Sequence, residues 1–393
     1  MAVPHPAAFS PIAVSIVTGF LGAGKTTLLN RLLKEPALAD TAVIINEFGE
    51  VSIDHLLVEQ ASDGVIELSD GCLCCTVRGE LVDTLADLID RMQTGRIAPL
   101  RRIVIETTGL ADPVPVLQSV MAHPVLMQAL RLDGVVCVVD AVNGAATLDA
   151  HEDAVRQAAV ADRIVVTKAG LAAPGERDSL RERLRRLNPS VPILDAGDGA
   201  GDGAGDGAPA SALLNCGLYD PGTKTADVRR WLGEAVHGHA HEEHGHHDHG
   251  HHGHHHHHHD DGHDHHHHHD SRIATVALSH DRPVPFAAVE AFLDLLRAVQ
   301  GEKLLRMKGI VELAEDPERP LVIHGVQKLL HPPARLPAWP EGARGTRIVL
   351  ITCDMPPDYA RRLFAAFVGE PAVDAPDRAA LQDNPLAIAG FRG

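Results

Sequence analysis

The stretch of residues 16–30 constrains the fold more than any other part of the chain. An apolar β-branched run at residues 13–18 leads into Gly-Phe-Leu-Gly-Ala-Gly-Lys-Thr at residues 19–26, and an apolar helical pattern follows at once. Glycines let consecutive backbone N–H groups turn towards one point, and the positive end of the following helix favours an anion there. A strand, a glycine-rich loop and a helix in this order predict a phosphate-binding loop (P-loop).

This loop predicts the role of each of its residues. The Lys25 side chain is expected on the β- and γ-phosphates of a nucleoside triphosphate, where it would act in catalysis, and the Thr26 hydroxyl is expected on Mg²⁺. The predicted nucleotide contacts are Gly19, Gly22, Ala23, Gly24, Lys25, Thr26 and Thr27.

Composition narrows the class of protein. With 393 residues, 45% of them hydrophobic, the chain has material for two domains, and its formal charge of −18 argues against nucleic acid as a partner. No apolar run approaches the roughly 18 residues that span a bilayer, and no signal peptide precedes the first strand. We therefore expect no membrane association and a cytoplasmic location.

The pattern along the chain divides it into segments. After a disordered leader (1–11), residues 12–236 alternate buried strands with amphipathic helices, which predicts an α/β P-loop domain with a mostly parallel sheet. Repeated Gly-Asp-Gly-Ala at 197–208 reads as a solvated insert of that domain. A histidine-rich linker (237–270) leads to a small C-terminal α+β domain (271–369) and a loose tail (370–393).

Two further segments carry carboxylates suited to nucleotide hydrolysis. Glu106 ends an apolar strand before Thr-Thr-Gly109, where it could order a metal-bound or attacking water; a buried strand end alone would also account for it. The loop at 46–54 contains Glu47 and Glu50 and could order on the γ-phosphate and Mg²⁺ as a switch, although an ordinary exposed loop would look similar.

Cysteines and histidines give the chain two candidate metal-binding segments. Cys72, Cys74 and Cys75 precede a helix whose positive end favours thiolates, and three thiolates suit a Zn²⁺ or Co²⁺ ion that arrives and leaves. Residues 237–270 contain 21 of the 28 histidines. We expect several weak sites there, formed by residues such as His254, His256 and His258, unless the tract is a low-complexity expansion.

Four motifs together carry a resemblance to a known family. They are Gly-Phe-Leu-Gly-Ala-Gly-Lys-Thr-Thr (19–27), Asn-Glu-Phe-Gly-Glu (46–50), Gly-Cys-Leu-Cys-Cys (71–75) and Glu-Thr-Thr-Gly-Leu-Ala-Asp-Pro (106–113). In this order they resemble the CobW family of metal-handling P-loop GTPases. Residues 301–309 resemble the second domain of that family.

The resemblance implies GTP and Mg²⁺ as cofactors and GTP hydrolysis coupled to metal insertion. The metal would be Zn²⁺, or alternatively Co²⁺, and the client a metalloprotein or a cobalamin-pathway enzyme. A nucleotide-dependent dimer is a further candidate interaction, and the sequence itself does not determine the oligomeric state. A different reading from the residues alone is a histidine-rich metal buffer with a weak nucleotidase activity.

The segment that would read the nucleotide base departs from the family pattern. Such GTPases use Asn-Lys-x-Asp after a strand, whereas this chain has Thr167-Lys168-Ala169-Gly170. Thr167 and Lys168 are still expected to contact the nucleotide, but the Asp carboxylate that accepts from guanine is absent. We therefore predict weak discrimination between GTP and ATP.

Overall fold

The computed structural model describes residues 11–46, 65–67, 76–189, 191–197, 207–216, 272–331, 333–340 and 344–369, with backbone alone at 46, 65–67 and 76–80. The helices are α1 (Lys25–Leu32), α2 (Thr76–Gln93), α3 (Pro113–Ala122), α4 (Pro124–Ala129), α5 (Gly144–Ala150), α6 (Glu152–Val160), α7 (Pro174–Leu187), α8 (Ala210–Leu214), α9 (Phe286–Gln300) and α10 (Pro357–Phe367). Short 3-10 helices cover Pro36–Leu38 and Ala169–Leu171.

The strands of the first part of the chain form one parallel sheet. They are β1 (Ile12–Thr18), β2 (Thr41–Asn46), β3 (Val65–Glu67), β4 (Arg102–Thr107), β5 (Leu130–Asp140), β6 (Arg163–Thr167) and β7 (Ile193–Asp195), in the order β3-β2-β4-β1-β5-β6-β7. Every neighbouring pair is parallel. The predicted α/β class is confirmed, and β1 lies at the centre of the sheet, directly before the P-loop.

Alternate residues of the central strands pack against helices on opposite faces, as expected for strands buried on both sides. Val14 and Ile16 belong to the core formed with α2, α3 and α4, whereas Val17 packs with α1 and α8. The β5 residues Cys137 and Val139 pack with α5, α6 and α7. Because all these strands are parallel, their carboxyl ends and the loops that follow them meet at one edge.

The second part of the chain forms an antiparallel sheet. Its strands are β8 (Ile273–His280), β9 (Leu304–Leu313), β10 (Asp316–Val326), β11 (Leu329–Leu330), β12 (Ala334–Arg335) and β13 (Thr346–Cys353). The order is β11-β10-β9-β13-β8, and β12 pairs with β10. The sequence pattern predicts strands at 272–278, 303–313, 320–327 and 346–353 and helices at 285–299 and 356–368. These match β8, β9, β10, β13, α9 and α10, whereas β11 and β12 are not predicted.

The antiparallel sheet is also buried on both faces. Leu304 and Leu350 pack under α9 and α10, whereas their neighbours Leu305 and Ile351 join the core that contains α3 of the first domain. Helices therefore cover one face, as predicted for an α+β domain, and the first domain covers the other.

Buried charges also join the two domains. Asp162, at the start of β6, accepts a hydrogen bond from Arg306 (3.0 Å) and pairs with Lys308 in β9. Burial raises the pKa of Asp162, but the charges of Arg306 and Lys308 outweigh burial and lower it overall. This carboxylate therefore stays ionised within the interface.

Some sequence-based expectations fall outside the described residues. These are residues 1–10 of the leader, the linker at 237–270, the tail beyond 369 and most of the insert at 197–208. The end of the predicted α/β domain, where the sequence pattern predicts a helix at about 225–236, lies outside them as well. Within the described ranges, no helix is long and apolar enough to cross a membrane.

Candidate functional site

The P-loop occupies the carboxyl end of β1 in a conformation that requires its glycines. Gly19 and Gly24 have φ of 141° and 91°. A Cβ atom on Gly19 would lie 2.2 Å from the Val138 carbonyl oxygen, so any side chain there would displace the loop. Gly24 directly precedes α1, so the first-turn N–H groups of the helix remain available to an anion.

The side chains of the first helical turn lie at this same point. Lys25 is buried, and its Nζ donates to the Phe20 carbonyl oxygen at 3.3 Å. The Thr26 hydroxyl donates to a carboxylate oxygen of Glu106 at 2.8 Å, and Thr27 is exposed beside it. The Lys25 side chain therefore lies against the P-loop, and its ammonium group would bind phosphate together with the N–H groups of the loop.

The pairing of strands explains why Glu106 meets Thr26. Val17 of β1 lies opposite Glu106 of β4 in the parallel register. Because β1 and β4 are neighbouring strands, Glu106 lies beside the start of the P-loop, which follows β1. Glu106 is only 4% exposed. A hydroxyl and a carboxylate oxygen are the donor types that Mg²⁺ prefers, so this pair fits the expected magnesium site.

The loop after β4 lies against the tip of the P-loop. A Cβ atom on Gly109 would be 2.5 Å from the Leu21 backbone nitrogen, so only glycine allows this approach. The Gln157 amide in α6 donates to the carbonyl oxygens of Gly109 (3.2 Å) and Ala111 (2.9 Å). Gly109 therefore lies beside the P-loop, and the loop that contains it is held by α6; its contact with a nucleotide stays a prediction.

The end of β6 braces the P-loop from the other side. The Thr167 hydroxyl donates to the Ala23 carbonyl oxygen at 2.7 Å, and the Lys168 ammonium donates to the Gly22 carbonyl oxygen at 2.9 Å. Lys168 also forms an ion pair with Asp140, at the end of β5, with 2.7 Å between Nζ and Oδ2. Both residues therefore hold the P-loop in this conformation.

Asp140 is a residue that the sequence analysis did not single out. Its carboxylate also accepts hydrogen bonds from the Val142 and Asn143 backbones and from the Asn143 amide. Burial raises the pKa of Asp140, but these bonds and the Lys168 ammonium lower it overall. An aspartate at the end of a buried strand was the available signal, and the distance of 28 residues to Lys168 concealed their contact.

A cavity of about 220 Å³ lies beside the P-loop. Its lining includes Phe20, Ala23, Asp140, Gln157 and Lys168, so it adjoins the braced loop. The Cys137 thiol also lines it, but burial raises the pKa of this thiol to about 12, which keeps it protonated.

The remaining predicted site residues cannot be placed. Those outside the described residues are Glu47, Glu50, Cys72, Cys74, Cys75, His254, His256 and His258. Among the residues that the structure does describe, no group of three or more His, Cys, Asp or Glu side chains could hold a metal ion. The described cysteines Cys137, Cys216 and Cys353 are buried free thiols.

Comparisons with known proteins cover both domains. Residues 13–195 match the model for the CobW/HypB/UreG nucleotide-binding domain, and residues 273–368 match that for the cobalamin synthesis protein cobW C-terminal domain. The chain is 34% identical to the zinc chaperone YjiA of Escherichia coli over 356 residues, which cover 91% of this chain and 98% of that protein. It is 32% identical over 204 residues to the zinc-regulated GTPase metalloprotein activator 1 of Schizosaccharomyces pombe, covering 50% and 48% of the two chains.

A solved structure gives the same result for the fold. The crystal structure of Zn(II)-bound YjiA GTPase from E. coli superimposes with a TM-score of 0.62 at 30% identity, covering 91% of this chain and 99% of that one. A P-loop, a strand-end carboxylate beside it and two matched domains therefore occur in one chain, which belongs to the CobW/HypB/UreG family of P-loop GTPases.

Proposed function

We propose that this chain is a cytoplasmic metallochaperone that hydrolyses GTP, binds Zn²⁺ through Cys72, Cys74 and Cys75, and transfers it to a client metalloprotein. The observation that most supports the proposal is similarity over nearly the whole length of a zinc chaperone, 34% identity across 98% of the E. coli protein. Both domains are included in that match, so the similarity is not limited to nucleotide binding.

In the proposed nucleotide site, the P-loop backbone and Lys25 bind the phosphates. The contact between the Thr26 hydroxyl and the Glu106 carboxylate (2.8 Å) supports a magnesium ion held there, where it would neutralise charge on the phosphate oxygens. Thr167 and Lys168 bond to carbonyl oxygens of Ala23 and Gly22 and keep the loop in its binding shape.

Hydrolysis requires a water molecule aimed at the γ-phosphate. Glu106 is a candidate to orient it, because its buried carboxylate reaches the first turn of α1. Glu47 is a second candidate and Glu50 a further metal-binding carboxylate, both on the loop at residues 46–54. We propose that this loop and the loop after Glu106 respond to the γ-phosphate, which couples hydrolysis to the metal site.

The proposed cargo site uses soft ligands. Three thiolates suit Zn²⁺, and an incomplete ligand set leaves one position for a group of the client. We propose three segments with separate roles, which are a GTPase domain at 12–236, a histidine-rich linker at 237–270 and a second domain at 271–369. Weak histidine sites such as His254, His256 and His258 would collect metal near the transfer site.

A metal buffer is the second candidate function. The specific observation in its favour is the 21 histidines between residues 237 and 270, far more potential ligands than one transfer site needs. Supply of Co²⁺ to a cobalamin-pathway enzyme is the alternative for the cargo, because three thiolates accept either ion.

Zinc transfer measured alongside GTP hydrolysis tests the proposal. Zn²⁺-loaded protein is mixed with a chromogenic chelator in the presence of GTP, GDP or a non-hydrolysable GTP analogue. We expect one equivalent of Zn²⁺ to be retained with the analogue and released as GTP is hydrolysed. The double change Cys72→Ser and Cys74→Ser should abolish this nucleotide-dependent fraction.

A variant lacking residues 237–270 is the matched control. A chaperone without the linker keeps the nucleotide-dependent equivalent and loses only the weakly held zinc. A buffer would lose nearly all zinc and show no dependence on nucleotide, which would refute the proposed function.

A further inference from the structure

Helix α6 contacts three functional parts of the molecule within nine residues. Its buried residues divide between two cores: Val155 and Ala158 pack beside β5 and β6, whereas Ala159 and Val160 join the core shared with the second domain. Ile273, the first residue of β8, packs against both of these cores. The helix therefore packs against the second domain as well as against the first domain, to which it belongs.

Two side chains of α6 hold the loop that follows Glu106. Gln157 is fully buried and donates to the carbonyl oxygens of Gly109 and Ala111. The Arg156 guanidinium lies 3.8 Å from the carboxylate of Asp112, whose other oxygen caps α3. Three of the six residues between Glu106 and α3 are thus bound to one helix.

The start of α6 touches the P-loop itself. The ring of His151, the residue that precedes the helix, stacks on the ring of Phe20, with 4.3 Å between centroids and 27° between planes. The Phe20 carbonyl oxygen accepts the hydrogen bond from Lys25. A shift of α6 would therefore move both the P-loop and the loop after Glu106.

Charged side chains continue from α6 to the second domain. Glu152 accepts from Arg156 (2.9 Å) through one carboxylate oxygen and from Arg272 (2.9 Å) through the other. Arg272, just before β8, also donates from Nε to both oxygens of Asp354, at 3.0 and 2.9 Å. Asp354 follows β13, which is paired with β8. A series of side chains of alternating charge thus runs from Asp112 to Asp354.

The strength of this series decides what effect it can have. Its side chains are 26–45% exposed, so each ion pair contributes only about 0.2–1 kcal/mol. Such pairs add little to the stability of the fold. A free energy of this size is enough to change severalfold the ratio of two positions of the loop after Glu106, which is sufficient to alter the rate of hydrolysis.

We propose that α6 sets the position of the loop after Glu106 for hydrolysis, with Gln157 and Arg156 as positioning residues, and that the Glu152–Arg272 contact makes hydrolysis depend on the second domain. This inference rests on the GTP hydrolysis proposed above. Any partner that binds the second domain at Arg272 and Asp354 would then change the rate of hydrolysis. Conversely, the bound nucleotide would change the affinity of that partner.

Steady-state GTP hydrolysis by the full chain tests the proposal, with kcat and KM measured separately. Gln157→Leu removes both donated hydrogen bonds and should lower kcat about tenfold with KM within about twofold, because misplaced loops slow the reaction more than they weaken binding. Arg272→Ala and Glu152→Gln should each change kcat about two- to fivefold, and the double variant no more than the larger single change.

Arg297→Ala is the matched control. Arg297 is 43% exposed against 42% for Arg272 and pairs with Asp294 on α9, away from α6. It should leave kcat at the wild-type value. Thermal unfolding of every variant separates a general loss of stability from an effect on the rate.

The outcomes distinguish the two levels of the proposal. A wild-type chain that hydrolyses no GTP refutes the proposed function and this inference with it. A wild-type chain that hydrolyses GTP, with Gln157→Leu unchanged in kcat or with Arg272→Ala and Glu152→Gln acting additively, overturns only the role of α6. Variants that lower the melting temperature and leave kcat unchanged would assign α6 a structural role alone.

Discussion

Restoring one carboxylate should give this chain selectivity for guanine. Gly170 lies in the 3-10 turn Ala169–Leu171 after β6, is exposed, and does not adopt a left-handed backbone, so Gly170→Asp introduces no left-handed backbone strain. The two residues at the end of β6, Thr167 and Lys168, are bonded to P-loop carbonyl oxygens. The turn is therefore held in a fixed position relative to the P-loop.

The magnitude follows from the hydrogen bonds that the new carboxylate would accept. Guanine offers two N–H donors and adenine offers no matching pair, and a hydrogen bond to a charged group contributes about 1.5–3 kcal/mol. Because position 170 is exposed, solvent screening reduces the sum to about one such bond. We expect the preference for GTP over ATP to rise about tenfold to a hundredfold.

This ratio is measured by letting GTP or ATP displace a fluorescent nucleotide from the site in the presence of Mg²⁺. Gly170→Asn is the control, since it has the same shape without the charge, and should change the ratio by less than about twofold. Lys168→Met should weaken both nucleotides alike, because its ammonium contacts Gly22 and Asp140. A wild-type chain that already rejects ATP more than a hundredfold, or an unchanged ratio in Gly170→Asp, would refute the reasoning.

Three further predictions concern the strand ends and the domain interface. Glu106→Gln should lower kcat for GTP about a hundredfold and leave GTP affinity within a few fold in an equilibrium binding assay; an unchanged kcat would exclude Glu106 from hydrolysis. Gly19→Ala should weaken GTP binding about tenfold or more, because its Cβ would meet the Val138 carbonyl oxygen at 2.2 Å. Asp162→Asn should destabilise the protein by about 3–5 kcal/mol in urea unfolding, since Arg306 would keep a buried charge without its carboxylate. Lys308, whose pKa burial already lowers, would also lose the carboxylate that favours its charged form. Because the folded pKa of Asp162 is lowered, its contribution is present above the unfolded value of about 3.9 and is lost as the pH falls through the folded value; a wild-type chain and an Asp162→Asn variant that lose stability equally on acidification would contradict this.

The sequence was informative where chemistry is local. The β-branched runs before Gly19 and Glu106 predicted β1 and β4, and the glycines predicted the P-loop, because each signal lies within about ten residues of its effect. Two short strands, β11 and β12, were missed, since two-residue strands carry no periodic pattern.

Contacts between distant segments could not be predicted in this way. Asp140 meets Lys168 across 28 residues, and Gln157 reaches Gly109 across 48. The join between domains was equally hidden, although the apolar run at residues 348–351 of β13 indicates a strand buried on both faces. Which element covers the second face depends on the packing of whole domains.

The central claim is that nucleotide controls a thiolate metal site. Its most direct test is a Co²⁺ absorption titration of the chain lacking residues 237–270, with and without Mg²⁺ and a non-hydrolysable GTP analogue. The account predicts intense thiolate-to-cobalt charge transfer that saturates at one equivalent only with nucleotide and disappears in the Cys72→Ser, Cys74→Ser variant. Equally tight binding without nucleotide, or no thiolate band once the histidine linker is removed, would contradict it.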